Sequence, residues 1–102
     1  MKFEEFMKLE KGDGIIIDNY TGTITEIKNY LKGSNYSRDM MKVIITRNIR
    51  ELEITFFNDN SNKVEKRFIS IYTDFSNEVH NRCMLNRLRI WDPLQEWMEG
   101  GE

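Results

Sequence analysis

His80 and Cys83 are the residues whose types and spacing come nearest to a reactive pair. A His-x-x-Cys spacing offers two zinc ligands, but a structural zinc site needs four, and the chain has no other histidine or cysteine. The two residues also make a poor base and nucleophile, because sequence neighbours rarely reach the required approach. We therefore expect no metal and no cofactor, and we expect Cys83 to be a small buried hydrophobic residue.

Closely spaced carboxylates are the other residues with catalytic potential. They are Glu4 with Glu5, Glu51 with Glu53, and Glu96 with Glu99. Each pair fits the solvent-facing side of a helix or strand, so general acid-base catalysis is not expected. The glycines at 12–14 and 33 lack the spacing and the lysine of a phosphate-binding loop. The sequence thus predicts a protein that is not an enzyme.

A basic and aromatic segment is the sharpest candidate for partner binding. Its members are Arg82, Arg87, Arg89 and Trp91, in a chain whose formal net charge is −2. Arginine forks bind phosphates and carboxylates bidentately, so the segment suits a nucleic acid or an acidic protein face. The alternative is a solvated strand edge whose arginines pair with nearby acids, namely Asp92, Glu96 or Glu99. Both interpretations stay open at this point.

Two more candidate partner-binding residues, Tyr36 and Arg38, lie in the polar stretch 31–39. This stretch predicts the longest surface loop of the protein, and binding groups are common on such loops. Tyr36 is the aromatic residue that we expect to be most exposed.

Length and composition describe one domain, 1–102, with 39% hydrophobic and 31% charged residues. The acidic balance argues against a general binder of nucleic acids or membrane surfaces. Acids near the N-terminus replace the apolar run of a signal peptide, and no apolar run reaches membrane-spanning length. We therefore expect a cytoplasmic protein with no membrane partner.

Strands dominate the predicted elements. We expect strands at 14–19, 23–30 and 64–73, a third strand carrying Met41, Val43 and Ile45, and a fourth after a hairpin connection at 47–50. Leu52, Ile54 and Phe56 alternate with polar residues in the clearest period-two signal. A turn is expected at 19–22. Ile24 and Ile27 fall on opposite faces of a regular strand, so either a bulge intervenes or both faces are covered.

Short helices are predicted at both ends. Phe3, Phe6 and Met7 have helical spacing, with Gly12 as a left-handed cap. Asp92 and Pro93 predict the start of a closing helix. Residues 78–88 are ambiguous between helix and loop, and we favour a short turn followed by a strand that ends at Trp91.

The opening of the chain resembles a known fold. Within residues 11–30, a Gly-Asp pair at Gly12 precedes one strand and a Gly-x-Ile step at Gly22 precedes the next. These features resemble the opening of SH3-like barrels of the KOW type. The resemblance implies a bent barrel that binds protein or nucleic acid through its loops and one sheet face. The predicted fold is mainly β: a five- to six-stranded SH3-like antiparallel barrel with short N- and C-terminal helices.

The function expected from these patterns is non-enzymatic protein binding that acts sterically on a larger partner. The chain lacks alanine, a sign of AT-rich coding, and it is small. A phage or mobile-element accessory protein that inhibits a host defence enzyme, such as a CRISPR nuclease, fits these features. A contiguous acidic face around Glu51, Glu53, Asp59 and the C-terminal acids is one way to block a nucleic-acid groove. The alternative is a nucleic-acid-associated regulator that uses the Arg82–Arg89 segment with Arg38 and Lys42.

Overall fold

The computed structural model describes residues 1–38 and 41–92. The elements follow in the order α1 (Phe3–Met7), β1 (Gly14–Ile17), β2 (Tyr20–Arg38), β3 (Met41–Asn58), β4 (Lys63–Tyr72), α2 (Glu78–Asn86) and β5 (Leu88–Ile90). The five strands form one antiparallel sheet in the order β4-β3-β2-β1-β5. The prediction of a mainly β fold is confirmed. The sheet is open, with β4 and β5 at its edges. The predicted closing helix lies outside the described residues.

The core lies on one face of the sheet, which we call the inner face, and both helices contribute to it. Its buried hydrophobic residues are Phe6, Leu9, Ile15, Ile17, Ile24, Leu52, Ile54, Ile69, Ile71, Leu85 and Leu88. The predicted alternation on β3 is confirmed, because Leu52, Ile54 and Phe56 are buried on this face. The opposite side of the sheet, which we call the outer face, carries Glu51, Glu53 and other odd-numbered residues of β3.

A bulge at Thr25 resolves the ambiguity between Ile24 and Ile27. The pairing of β2 with β3 shifts register between Ile24 and Glu26, so Ile24 pairs with Ile54 and Ile27 pairs with Leu52. Both isoleucines therefore face the core, as an extra residue in one strand requires.

The link between β1 and β2 is tighter than predicted. Ile17 pairs with Tyr20, so the turn consists of Asp18 and Asn19, and Asp18 adopts a left-handed φ of 54°. Asp and Asn tolerate this conformation better than other non-glycine residues. The prediction of a turn at 19–22 was wrong because Gly22 serves a strand position. A Cβ there would lie 2.7 Å from the carbonyl oxygen of Thr55.

The start of the chain forms the predicted helix, but its end differs. α1 stops at Met7 with Lys8 as its C-cap. Gly12 has the expected left-handed φ, 98°, although it belongs to the following turn, where its amide donates to the Ile24 carbonyl.

Helix α2 occupies most of the ambiguous segment, so the preference for a short turn there was wrong, whereas the strand expected to end at Trp91 is confirmed as β5. The side chain of Asn77 caps the helix by accepting a bond from the amide of His80 at 3.1 Å. The carboxamide of Asn81 then bonds both backbone groups of Tyr72, at 2.8 Å and 2.7 Å. The Asn81 side chain thus makes the two hydrogen bonds that a further strand would make at the edge of β4. This contact holds α2 against the sheet.

The largest departure from the sequence prediction is a long hairpin. β2 and β3 pair without interruption up to Arg38 and Met41, whereas β4 accompanies β3 only as far as the Ile49–Tyr72 pair. Residues 31–38 and 41–48 therefore form a two-stranded ribbon beyond the rest of the sheet, which we call the arm. At about 3.3 Å per residue it extends roughly 26 Å. The molecule accordingly measures 67 × 29 × 20 Å.

The predictions of a loop at 31–39 and a connection at 47–50 were both wrong, because polar composition was taken for irregular structure. The polar residues of β2 suit a ribbon that faces water on both sides, and they pair with the β-branched run of β3. Arg50, the last residue of the predicted connection, is a polar residue within β3 because its side chain binds the backbone at α1. Its guanidinium is buried and donates to the carbonyls of Phe6 at 2.7 Å and Leu9 at 2.6 Å.

Candidate functional site

The arm concentrates exposed apolar side chains on both of its faces. Its inner face carries Leu31 and Ile44, which are 67% and 68% exposed. Gly33 lies between them, and a Cβ at this glycine would be 3.9 Å from the Cγ2 atom of Ile44. The outer face carries Met41, Val43 and Ile45, all exposed. Large apolar residues in water on a protruding element are typical of interaction sites.

The arm is also the basic part of the protein. It contains Lys32, Arg38, Lys42 and Arg47, and residues 31–38 and 41–48 include no acid. The rest of the chain is therefore more acidic than the overall charge of −2 indicates. A groove of about 260 Å³ lies at the base of the arm, lined by Asn29, Tyr30, Leu31, Asn48, Ile49 and Thr73.

Tyr36 and Arg38 lie on the last part of β2. They pair with Val43 and Met41 of β3, so both belong to the arm and not to a loop. Arg82, Arg87, Arg89 and Trp91 lie elsewhere, on α2 and around β5. Ile16 pairs with Arg89 on one side and with Thr21 on the other, so Arg89 and Thr21 lie at the same height in the sheet. Arg38 is 17 positions further along β2 than Thr21. Extended strand of that length spans roughly 55 Å, so the two groups of candidates do not form one site.

Arg87 is engaged within the chain. Its Nε and Nη2 atoms donate to the two carboxylate oxygens of Asp18 at 3.0 Å and 2.8 Å. This hydrogen-bonded pair lowers the pKa of Asp18 and raises that of Arg87. Asp18 is far away in the sequence and is not one of the nearby acids that the sequence offered as partners of Arg87. Arg82 and Arg89 are exposed.

Trp91 packs on the start of β1. A Cβ at Gly14 would lie 2.5 Å from the Cε3 atom of this indole, so the glycine is what allows the ring to approach. Leu9, Gly14, Ile90 and Trp91 line a groove of about 330 Å³ together with Glu5, Lys8 and Asp13.

His80 and Cys83 do not form a reactive pair. The Nε2 atom of His80 lies 2.9 Å from the carbonyl oxygen of Ser70, an acceptor, so this nitrogen carries the proton. Cys83 is exposed, and the prediction that it is buried was wrong. In the described part of the chain, no three His, Cys, Asp or Glu side chains are grouped as metal ligands. None of the helices in that part is both long and apolar enough to cross a membrane.

The acids of β3 do not form a contiguous acidic surface. Glu53 lies 3.3 Å from the Nζ atom of Lys66, and Glu51 pairs across the strands with Lys28. The Thr25 hydroxyl, bonded at 2.7 Å, and then Lys66 lower the pKa of Glu53. Lysines thus separate the carboxylates on this part of the predicted acidic face, and the C-terminal acids lie outside the described residues.

Leu31, Ile44 and Arg47 were not predicted as binding residues, although the sequence contains a pattern that indicates the arm. The run Val43-Ile44-Ile45 is apolar at consecutive positions, whereas a strand with one wet face alternates. Such a run without a covering element indicates a ribbon with two apolar faces. No protein-family model, curated protein or solved structure matches this chain.

Proposed function

We propose that the protein is a non-enzymatic binding module whose arm docks onto a larger protein and whose body then blocks access sterically. The observation that carries this proposal is the inner face of the arm, where Leu31 and Ile44 lie in water on either side of Gly33. Burial of two such side chains contributes about 3–6 kcal/mol before the costs of association.

The chemistry of the arm defines the partner surface. Its apolar inner face fits an apolar cleft, and the cations Lys32, Arg38, Lys42 and Arg47 favour carboxylates around that cleft. A protein fits better than a nucleic acid, because among the described residues Lys42 is the single cation on the inner face of the arm, and phosphate binding needs several. Tyr36 and Arg38 remain predicted contacts with the same partner. Arg82, Arg89 and Trp91 remain predicted contacts for a second region of the partner.

A matched pair of variants tests the role of the arm. Ile44→Glu places a carboxylate on the inner arm face, whereas Val79→Glu makes the same change on α2 at an equal exposure of 68%. Each tagged variant is used to capture proteins from a bacterial lysate, with and without nuclease, and the eluates are compared by quantitative mass spectrometry. We expect one protein that wild type and Val79→Glu retain after nuclease treatment and that Ile44→Glu loses.

Two results would contradict the proposal. Equal retention by Ile44→Glu would exclude the inner arm face, and loss of capture after nuclease would favour the nucleic-acid regulator. In that case affinity should fall steeply with salt. The specific form in which the target is a CRISPR nuclease has its own test. Wild type and Val79→Glu should stop DNA cleavage by that nuclease while Ile44→Glu does not, and uninhibited cleavage with wild type would exclude this target.

A further inference from the structure

The outer face of β3 changes character along its length. Apolar side chains occupy the arm end, a cation follows, carboxylates lie beyond the middle, and an apolar residue ends the row. In order these are Met41, Val43, Ile45, Arg47, Ile49, Glu51, Glu53, Thr55 and Phe57. We propose that this face is self-complementary and that two copies of the chain pair outer face to outer face about a two-fold axis.

The sequence positions fix the register of such a dimer. A two-fold axis that lies between the sheets, level with Arg50 and across the strands, runs the two β3 strands antiparallel. Arg47 and Glu53 are each three residues from Arg50, so Arg47 of one copy lies over Glu53 of the other. Val43 and Phe57 are each seven residues from Arg50, so they also meet.

The neighbouring strand repeats the charge pattern. Lys32 of β2 pairs beside Arg47, and Glu26 of β2 pairs beside Glu53. The same axis keeps β2 over β2, so Lys32 of one copy faces Glu26 of the other. Two cations thus meet two carboxylates, and the symmetry of the dimer repeats this contact at the other end.

Arg47 and Glu53 are positioned for this contact. The guanidinium of Arg47 lies 5.6 Å from the centre of the Tyr72 ring, and its Nε atom finds no hydrogen-bond partner among the described residues. Glu53 is held in place by Thr25 and Lys66. The Arg47 fork on the outer face of one copy can therefore bind a carboxylate that Thr25 and Lys66 already orient in the other.

The apolar ends of the outer face supply burial. Phe57, which is 54% exposed, meets Val43 of the other copy, and the exposed Val64 pairs beside it on β4. The distance from Val43 to Phe57 along the strand is roughly 45 Å, and the two paired strands are about 10 Å wide. Such a patch is about 450 Å² on each partner, roughly half of the 800 Å² of a standard interface, which is the size of a weak interface.

Lys32 and Arg47 contact the second copy in this dimer, whereas the inner face of each arm, with Leu31, Ile44 and Lys42, stays open. The dimer and the docking of the inner arm face are therefore separate contacts, and either can fail without the other.

Charge reversal tests the register by sedimentation equilibrium. Wild type should reach a monomer–dimer equilibrium, and Arg47→Glu or Glu53→Arg alone should raise the dissociation constant by about tenfold or more, since each variant creates two like-charge contacts. The double variant should regain the wild-type dissociation constant within about threefold, because opposite charges again meet. Mixing the two single variants should give heterodimers.

Lys42→Glu is the matched control, because it makes an equivalent charge change on the inner face of the arm and should leave the dimer intact. If Glu53→Arg fails to fold after losing Thr25 and Lys66, the exposed pair Lys32→Glu and Glu26→Lys gives the same mixing test. A wild-type protein that stays monomeric at submillimolar concentration overturns the proposal. Equal weakening by Lys42→Glu, or no association between complementary variants, overturns it as well.

Discussion

Replacing Arg50 with methionine should destabilise the protein by weakening the attachment of α1 to the sheet. Arg50 is 9% exposed, and its two terminal nitrogens bond the carbonyls of Phe6 and Leu9. The guanidinium also lies 5.6 Å from the centre of the Phe6 ring. Burial lowers its pKa, but an arginine stays charged at neutral pH. One side chain of β3 therefore satisfies carbonyl groups at the end of α1 and just beyond it.

The expected cost follows from what the substitution leaves behind. Arg50→Met leaves the Leu9 carbonyl without its Arg50 donor, at about 1–3 kcal/mol, whereas the Phe6 carbonyl keeps the backbone amide of Leu9 as a donor. Methionine recovers part of this by removing a desolvated charge and keeping apolar contact with Phe6. We expect a net loss of about 2 kcal/mol in the free energy of unfolding. Arg50→Lys keeps one donor group and should lose about half as much.

Urea unfolding followed by circular dichroism measures this loss. The transition midpoint should fall in Arg50→Met while the slope stays constant, because the surface exposed on unfolding is unchanged. Arg82→Met is the matched control, since Arg82 is an exposed arginine of α2, and it should stay within about 0.5 kcal/mol of wild type. An Arg50→Met variant as stable as this control would refute the role assigned to the two hydrogen bonds.

Three further predictions concern the sheet and its edges. Gly22→Ala should lower stability by about 1–3 kcal/mol in thermal unfolding, because the added methyl group meets the backbone of β3 at 2.7 Å; unchanged stability would contradict this contact. Asn81→Leu should speed hydrogen exchange at the Tyr72 amide, which loses its acceptor, and undiminished protection would show another acceptor. Arg87 lowers the pKa of Asp18 in the folded protein. The Asp18–Arg87 pair therefore stabilises the fold fully above the ordinary carboxyl pKa of about 4, and this stabilisation is lost as the pH falls through the lowered pKa. On acidification, the free energy of unfolding of wild type, measured in urea, should therefore fall by up to about 1 kcal/mol more than that of Asp18→Asn. Equal losses in the two proteins would exclude the Asp18–Arg87 pair as a source of stability.

Local patterns were sufficient to predict the body of the fold. The alternation of Leu52, Ile54 and Phe56 predicted a half-buried strand, and the helical spacing of Phe3 and Phe6 predicted α1. The spacing of Ile24 and Ile27 left two possible structures for β2, a strand with a bulge or a strand covered on both faces. In each case the signal and its structural cause lie within a few residues.

The remaining features depend on contacts between distant residues. Asn81 reaches the backbone of Tyr72, and Arg50 reaches α1, so neither polar residue can be interpreted from its neighbours. The arm is strand because residues 31–38 pair with 41–48, although their composition alone favours a loop. The proposed dimer contact between Arg47 and Glu53 adds a further step, since it depends on a symmetry that no single-chain pattern contains.

Because β3 runs without a break from the arm into the body, its two ends are under different evolutionary constraints. Residues 49–56 pack in or beside the core, so substitutions there are limited by folding. Residues 41–46 are exposed and add no side chain to the core, so substitutions there leave the body intact. Such a strand can change its recognition end over many generations while selection preserves the scaffold that holds it.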